Sequence, residues 1–489
     1  MKVFQLTKFL VLGIILTSMM FTTQSCGDKN PASGLPSAHD YDYKVFWEWN
    51  ELFLRIDRYA KGYRPGPSPR ALAYMGLSAY ECVISAIPEN RSIVPSLPRL
   101  SVPRADPNLE YYWPAAVNES YSYLMERFFP HMKNDPNGTV SGTFAQIETT
   151  RVRLNNGYAQ LCSPEVLERS IAFGREVAAA VYIWEQTDLI GHNAFLNPQP
   201  TSYTPPTGLG LWVPTPPKFD RALFPNWGDV RTFAISQAER LCEAPITYGE
   251  QTTSPYYVQA LEVYSTVNTI KNPPPGSEDW SYNQRWSAIF WSDDILGLTF
   301  SPPARLIAVL NQVVAEEEID LAECAEIYAK IGLSLSDASV AIWHSKYVYN
   351  TERPITFIHR VMVQQYPEAA NWTTILDASA VGGPSGINPP FPAYPSGHSG
   401  FAGAGSAILS SFFEYNDKFP GTYAFVDFCH QLRTEFLGIP RSFSSFSQMA
   451  EEKAYARIPL GVHLRMDCEV GLKQGRLCAQ RVLEMPWKR

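Results

Sequence analysis

The sequence lacks paired cysteines. It has eight, with no Cys-x-x-Cys among them. Setting aside Cys26, seven remain, at 82, 162, 242, 324, 429, 468 and 478. An odd, scattered set argues against a disulfide framework and a zinc site, and suits small buried apolar side chains. Positive charge is short too: 40 Lys and Arg against 48 Asp and Glu give a net charge of −8. That excludes a broad nucleic-acid face, so cations grouped in one place are a local device for an anion. No segment alternates strongly with a two-residue period, no Gly-rich nucleotide-phosphate loop occurs, and no internal repeat is visible. After the N-terminus no apolar run is long enough to cross a membrane. What is present is a globular composition, 45% hydrophobic and 18% charged, with 40 prolines and 13% aromatics. These predict rigid, well-packed loops.

The N-terminus reads as a targeting segment. Lys2 and Lys8 precede an apolar run from Phe9 to Phe21, and small or polar residues lead to Ser25–Cys26–Gly27. The pattern predicts a signal peptide over 1–25, lipidation at Cys26 and a flexible tether over 26–42. Ordinary secretory cleavage nearby is the alternative. Either way the mature protein is expected to be exported. With lipid on Cys26, the anchor would be its only contact with the membrane, on the periplasmic or outer face.

Helical periodicity dominates the rest. Expected helices cover about 43–60, 68–87, 114–130, 140–155, 163–186, 253–270, 279–295, 302–317 and 320–350, and a last one runs from near Gly461 to Met485. The fold class is all-α, a helical bundle with long Pro-rich loops. We divide it into an N-terminal helical region, 43–240, and a core, 241–489. The stretch 190–232 is Pro-rich, with Trp212 and Trp227 between the prolines, and is read as a rim segment or an irregular connector.

Three motifs carry chemistry. Lys346 and Arg353 are seven apart, two turns of one expected helix face, with Trp343 on the same stripe. Four prolines stiffen the approach Asn388–Pro395. Ser396, Gly397 and His398 then open a run of small residues suited to a packed helix. Its start offers free amides and the positive dipole end, although Ser396 alone would be explained as a cap. Arg457, His463 and Asp467 form the third motif. A carboxylate four residues on can accept the His463 Nδ1 proton and leave Nε2 free. Together Lys346, Arg353, Ser396, Gly397 and Arg457 suit a phosphate- or vanadate-like oxyanion. His463 would bond its central atom and His398 would act as acid or base.

Lys-x6-Arg-Pro, then Pro-Ser-Gly-His, then Arg-x5-His-x3-Asp resembles the vanadium-dependent haloperoxidases and the type 2 phosphatidic acid phosphatases, nearest to haloperoxidase-like bacterial lipoproteins. The resemblance implies a helical fold and a vanadate cofactor held by His463, with Lys346, Arg353, Ser396, Gly397 and Arg457 around it. His398 is implied as the acid–base residue and Lys346 as a catalytic cation. Trp343 and Phe391 resemble halide-site aromatics. Asp294, or Asp293 in its place, resembles the acid paired with the last arginine. Ala456 stands where the family usually has serine. The implied partners are hydrogen peroxide, a halide and a small organic acceptor. The implied activity is halide oxidation to hypohalous acid. The alternatives are a phosphatase holding phosphate, with His463 phosphorylated, and a non-enzymatic glycan-binding lipoprotein. The 438–450 insert is expected to form another rim loop.

Overall fold

The computed structural model describes residues 35–430 and 439–489. The expected signal peptide, Cys26 and most of the tether lie outside them. The chain builds helices α1 (Lys44–Asp57), α2 (Pro67–Val83), α3 (Trp113–Phe128), α4 (Gly138–Tyr158), α5 (Pro164–Gln186) and the short α6 (Leu189–Asn193). Then follow α7 (Pro255–Lys271), α8 (Glu278–Phe290), α9 (Ala304–Glu317), α10 (Leu321–Tyr349), α11 (Pro354–Arg360) and α12 (Gly397–Phe413). The last are α13 (Phe446–Tyr455), the single turn α14 (Arg457–Leu460) and α15 (Arg465–Leu483). Two three-residue strands, β1 (Phe425–Asp427) and β2 (Arg441–Phe443), pair antiparallel, with Val426 opposite Ser442. The helical class holds.

Local chemistry sets many of the starts. Ser163 and Ser254 cap α5 and α7, each followed by proline at the first helical position. Asp320 and Glu323 form a capping box on α10. At 29 residues, α10 is the spine, and nearly every side chain from Leu321 to Lys346 is buried. Such all-round burial requires neighbours on every face. The helix meets α2 on one side and α12 and α15 on the other. Small residues allow the close approach. A Cβ on Gly332 would sit 2.7 Å from the Leu72 carbonyl oxygen, and one on Gly475 would sit 2.0 Å from that of Gly400. The small-residue run of α12 is therefore its packing surface. One apolar cluster runs from Ala38 to Trp487, so the division drawn at residue 240 is not a break in the core.

Four expectations are corrected. The helix expected over 279–295 ends at Phe290, and a non-helical segment follows in which Asp293 adopts φ +37. The 320–350 helix stops before Arg353, because Asn350 turns left-handed at its end (φ 47, ψ 38). Lys346 and Arg353 therefore do not share two turns of one helix. Gly461, at φ 93, ends α14 instead of starting the last helix. Finally, the described part of the 438–450 insert forms β2 and the start of α13, not a loop over the site.

Candidate active site

The structure brings all three motifs to one buried point. Lys346 extends from the last turn of α10 and donates from Nζ to the Pro392 and Ala393 carbonyls, at 2.8 Å each. Arg353 stands in extended conformation just before Pro354. Its Nε donates to the Phe391 carbonyl at 2.9 Å and its Nη1 to that of Val462 at 2.9 Å. A proline-rich segment has few N–H groups to pair with its carbonyls, which leaves them for cations. Both side chains are fully buried. Burial, reinforced by the other cations, holds Lys346 well below the usual lysine range and brings Arg353 down to about 9.

Ser396 caps α12 through its hydroxyl, which accepts from the Ser399 amide at 3.3 Å. The Gly397 amide is at the first helical position, where no intrahelical carbonyl is in reach. A Cβ there would meet the Trp343 ring at 3.4 Å. The His398 ring nitrogen Nε2 lies 3.2 Å from the Ser292 carbonyl oxygen. That nitrogen therefore carries the proton, and Nδ1 keeps the lone pair. His463 precedes α15, and its Nδ1 lies 2.9 Å from Asp467 Oδ2 while Nε2 faces Arg353 Nη1 at 3.2 Å. The tautomer follows: Nδ1–H donates to the carboxylate and Nε2 is an acceptor. Burial first, then neighbouring cations, push both imidazoles well below their ordinary range, so both are neutral near pH 7. Burial raises Asp467 to about 7.

Arg457 donates from Nη1 to the Trp291 and Ser292 carbonyls (3.2 and 3.3 Å) and from Nη2 to Asp294. Asp294 is thus the arginine's partner. Asp293 instead accepts from Lys453 Nζ at 2.7 Å. The Trp343 and Phe391 rings, 5.0 Å apart, wall one side, and Phe391 lies under both Lys346 and Arg353. A chamber of about 10 Å³, one water-sized group, lies among Trp343, Phe391, Gly397, His398, Arg457 and His463. Over it the Pro-rich 190–232 stretch forms a rim, since Lys218, Asp220 and Leu223 line the outer cavity.

Sequence reasoning missed Arg64 and Lys453. Arg64 Nη2 donates to the Asp293 carbonyl at 3.1 Å and so ties the 291–294 turn to the N-terminal half. Lys453, fully buried, holds the same turn from α13. Neither belongs to a motif. The only hint was the Trp-Ser-Asp-Asp run at 291–294, which would need buried partners for both acids.

The donor set fits an oxyanion. Arg353 Nη2 and Arg457 Nε are buried and have no hydrogen-bond partner among the described residues. Among the described residues neither Lys346 nor Arg353 pairs with a carboxylate, whereas Arg457 and Lys453 do. Buried charges left unmatched are costly; a bound anion removes the imbalance.

Comparison with known proteins agrees. Residues 326–487 match the family described as the VCPO second helical-bundle domain. The vanadium chloroperoxidase of Curvularia inaequalis is 22% identical over 496 residues, covering 88% of this chain and 80% of the relative. The crystal structure of the first bacterial vanadium-dependent iodoperoxidase superposes with a TM-score of 0.74 at 24% identity, over 91% of this chain and 96% of that one. A holo-type bacterial vanadium-dependent chloroperoxidase gives 0.59 at 14% identity, over 87% and 94%. Residues 326–487 thus match the second helical-bundle domain of that family, and the chain shares the helical fold of these enzymes.

Proposed function

We propose that the protein is a vanadate-dependent haloperoxidase that oxidises halide with hydrogen peroxide to hypohalous acid. The observation carrying this reading is the pair of fully buried cations, Lys346 and Arg353, with no carboxylate partner among the described residues, beside a neutral His463 whose Nε2 is an acceptor. Vanadate would be held by His463 Nε2, the Arg353 and Arg457 guanidiniums, Lys346, Ser396 and the Gly397 amide. Once bound it would supply Lewis-acid activation of peroxide without a change of oxidation state.

The chain's own residues do the rest. Asp467 fixes the His463 tautomer by accepting from Nδ1. His398, neutral because of its burial, takes a proton from peroxide at Nδ1 and later returns it. Lys346, anchored on two carbonyls, would place its ammonium where negative charge builds on the departing peroxide oxygen. Trp343 and Phe391 exclude water from one wall and give a polarisable surface for a large halide. The net reaction is halide plus hydrogen peroxide plus a proton giving hypohalous acid and water.

The test is to add vanadate to metal-free protein and follow triiodide formation from iodide and peroxide. Vanadate-dependent turnover is expected. If iodide, bromide and chloride all fail while a phosphoester is hydrolysed and vanadate inhibits that hydrolysis, the phosphatase reading replaces this one. Export with lipid on Cys26 belongs to the same proposal and is checked by the mass of the N-terminal peptide from a membrane fraction.

A further inference from the structure

Behind the oxyanion hole, the turn Trp291–Asp294 supplies acceptors to two of its side chains. The Trp291 and Ser292 carbonyls and the Asp294 carboxylate accept from Arg457, and the Ser292 carbonyl also accepts from His398 Nε2. How each side chain meets an anion therefore depends on where this turn lies. The turn does not hold itself. Asp293 adopts φ +37, a left-handed conformation unfavourable for a residue with a Cβ, which persists where partners over-determine it. Here the partners come from two sides. On α13, Lys453 Nζ donates to Asp293 Oδ2 at 2.7 Å, and the adjacent Glu452 accepts from Trp291 Nε1 at 2.9 Å. From the N-terminal half, Arg64 Nη2 donates to the Asp293 carbonyl at 3.1 Å. Lys453 and Asp293 are both fully buried. A buried ion pair is a poor source of stability compared with apolar residues of the same size, so stability alone does not account for this one. Its placement does. Lys453 stands one helical turn before Arg457, and α13 passes into α14 through Ala456 alone. Two cations a turn apart thus take two adjacent carboxylates, Asp293 and Asp294.

We infer that Lys453 is a positioning residue of the oxyanion site: by pairing with Asp293 it sets the 291–294 turn, and through the turn it aims the Arg457 guanidinium and the His398 ring. That role rests on reading the hole as an oxyanion site and is the same for vanadate and for phosphate. Lys453 acts only through the turn and touches no bound anion. Without its hold, the acceptors of Arg457 and His398 would shift. Arg457 would then bind an anion less tightly, and the His398 proton would be shared between Nε2 and Nδ1.

The experiment combines Asp293→Asn with Lys453→Met. This double variant removes both charges together, so no buried charge is left unpaired and the net charge behind the site is unchanged. What it removes is the hold on the turn. Binding of inorganic phosphate to vanadate-free protein is measured by calorimetry and folding by the denaturant midpoint. The His398 tautomer is read from the nitrogen NMR of histidine-labelled protein, with the signal assigned by its loss in His398→Ala. We expect a midpoint near that of wild type, a phosphate affinity lower by about 10–100-fold, and a single Nε2–H signal replaced by a mixture of tautomers. A purely structural role would return affinity and tautomer together with the midpoint. Arg64→Gln, at a half-buried position, loosens the turn from its other side and keeps the test available where the double variant does not fold; it should lower the affinity by about 2–10-fold, the worth of one hydrogen bond. Phosphate affinity within about twofold of wild type with an unchanged His398 signal, in a folded variant, overturns the inference. Wild type that binds no phosphate would instead remove the oxyanion reading, and the tautomer signal alone would then decide the role of Lys453.

Discussion

Two buried arginines in this molecule have opposite surroundings. Arg70, on α2, meets both Glu185 and Asp188, with the Asp188 carboxylate at 3.2 Å, and stacks over Tyr74. Its neighbours raise its pKa above the ordinary arginine value. Arg353 is just as buried but rests on two carbonyls and an imidazole, and its pKa falls to about 9. The first guanidinium is neutralised within the fold and holds α2 to the end of α5. The second waits for an anion from outside. Compensation, more than burial, separates a structural cation from a binding one.

Substitution can break the contrast. Glu185→Ala leaves Arg70 short of a buried partner and should destabilise the protein by about 3–5 kcal/mol, read from denaturant midpoints. Arg353→Met should lower vanadate-dependent turnover by about 10²–10³-fold, the usual loss for an oxyanion donor. It should cost the fold far less than Glu185→Ala, because it removes a charge that no carboxylate among the described residues matches. Equal destabilisation by the two variants would erase the distinction. Asp467→Asn, which frees the His463 tautomer, should weaken oxyanion affinity by about 10–100-fold, measured by calorimetry.

The smallest effect is a protonic one. Without an anion His398 is held below its ordinary pKa by burial and by Arg457, Lys453 and Lys346. An anion favours its charged form, so the bound-state pKa lies above the free-state value. Binding should therefore take up protons and weaken as pH rises through the bound-state pKa. Sulfate, which does not titrate here, is the probe. Uptake of up to about one proton on binding, read from calorimetry in buffers of different ionisation heat, should vanish in His398→Ala.

Much of this site was legible because its residues come in short, dense motifs. Ser396–Gly397–His398 opens a helix, as its small-residue run suggested, and Asp467 reaches His463 over four residues. The route between motifs was less legible. Period counting carried Lys346 and Arg353 along one helix, but a left-handed Asn350 turns the chain between them. That turn depends on Thr351 and Glu352 finding partners elsewhere: the Thr351 carbonyl accepts from Ala393 and the Glu352 amide donates to Gly210. Likewise the helix expected over 279–295 ends at Phe290, because Lys453, Arg64 and Arg457 each draw on the turn that follows from distant elements. Tertiary partners override local propensity there.

By itself the sequence determined the helical class, the capped starts of α5, α7 and α10, and the identity of the groups around the oxyanion hole, since these depend on residue type and short spacing. Only the tertiary structure decided that Arg457 pairs with Asp294 and Lys453 with Asp293, and that Lys346 and Arg353 have no carboxylate partner among the described residues. Charge compensation and cavity shape arise from contacts between residues far apart in the chain, such as Arg64 and Asp293, 229 positions apart, and no local pattern encodes those.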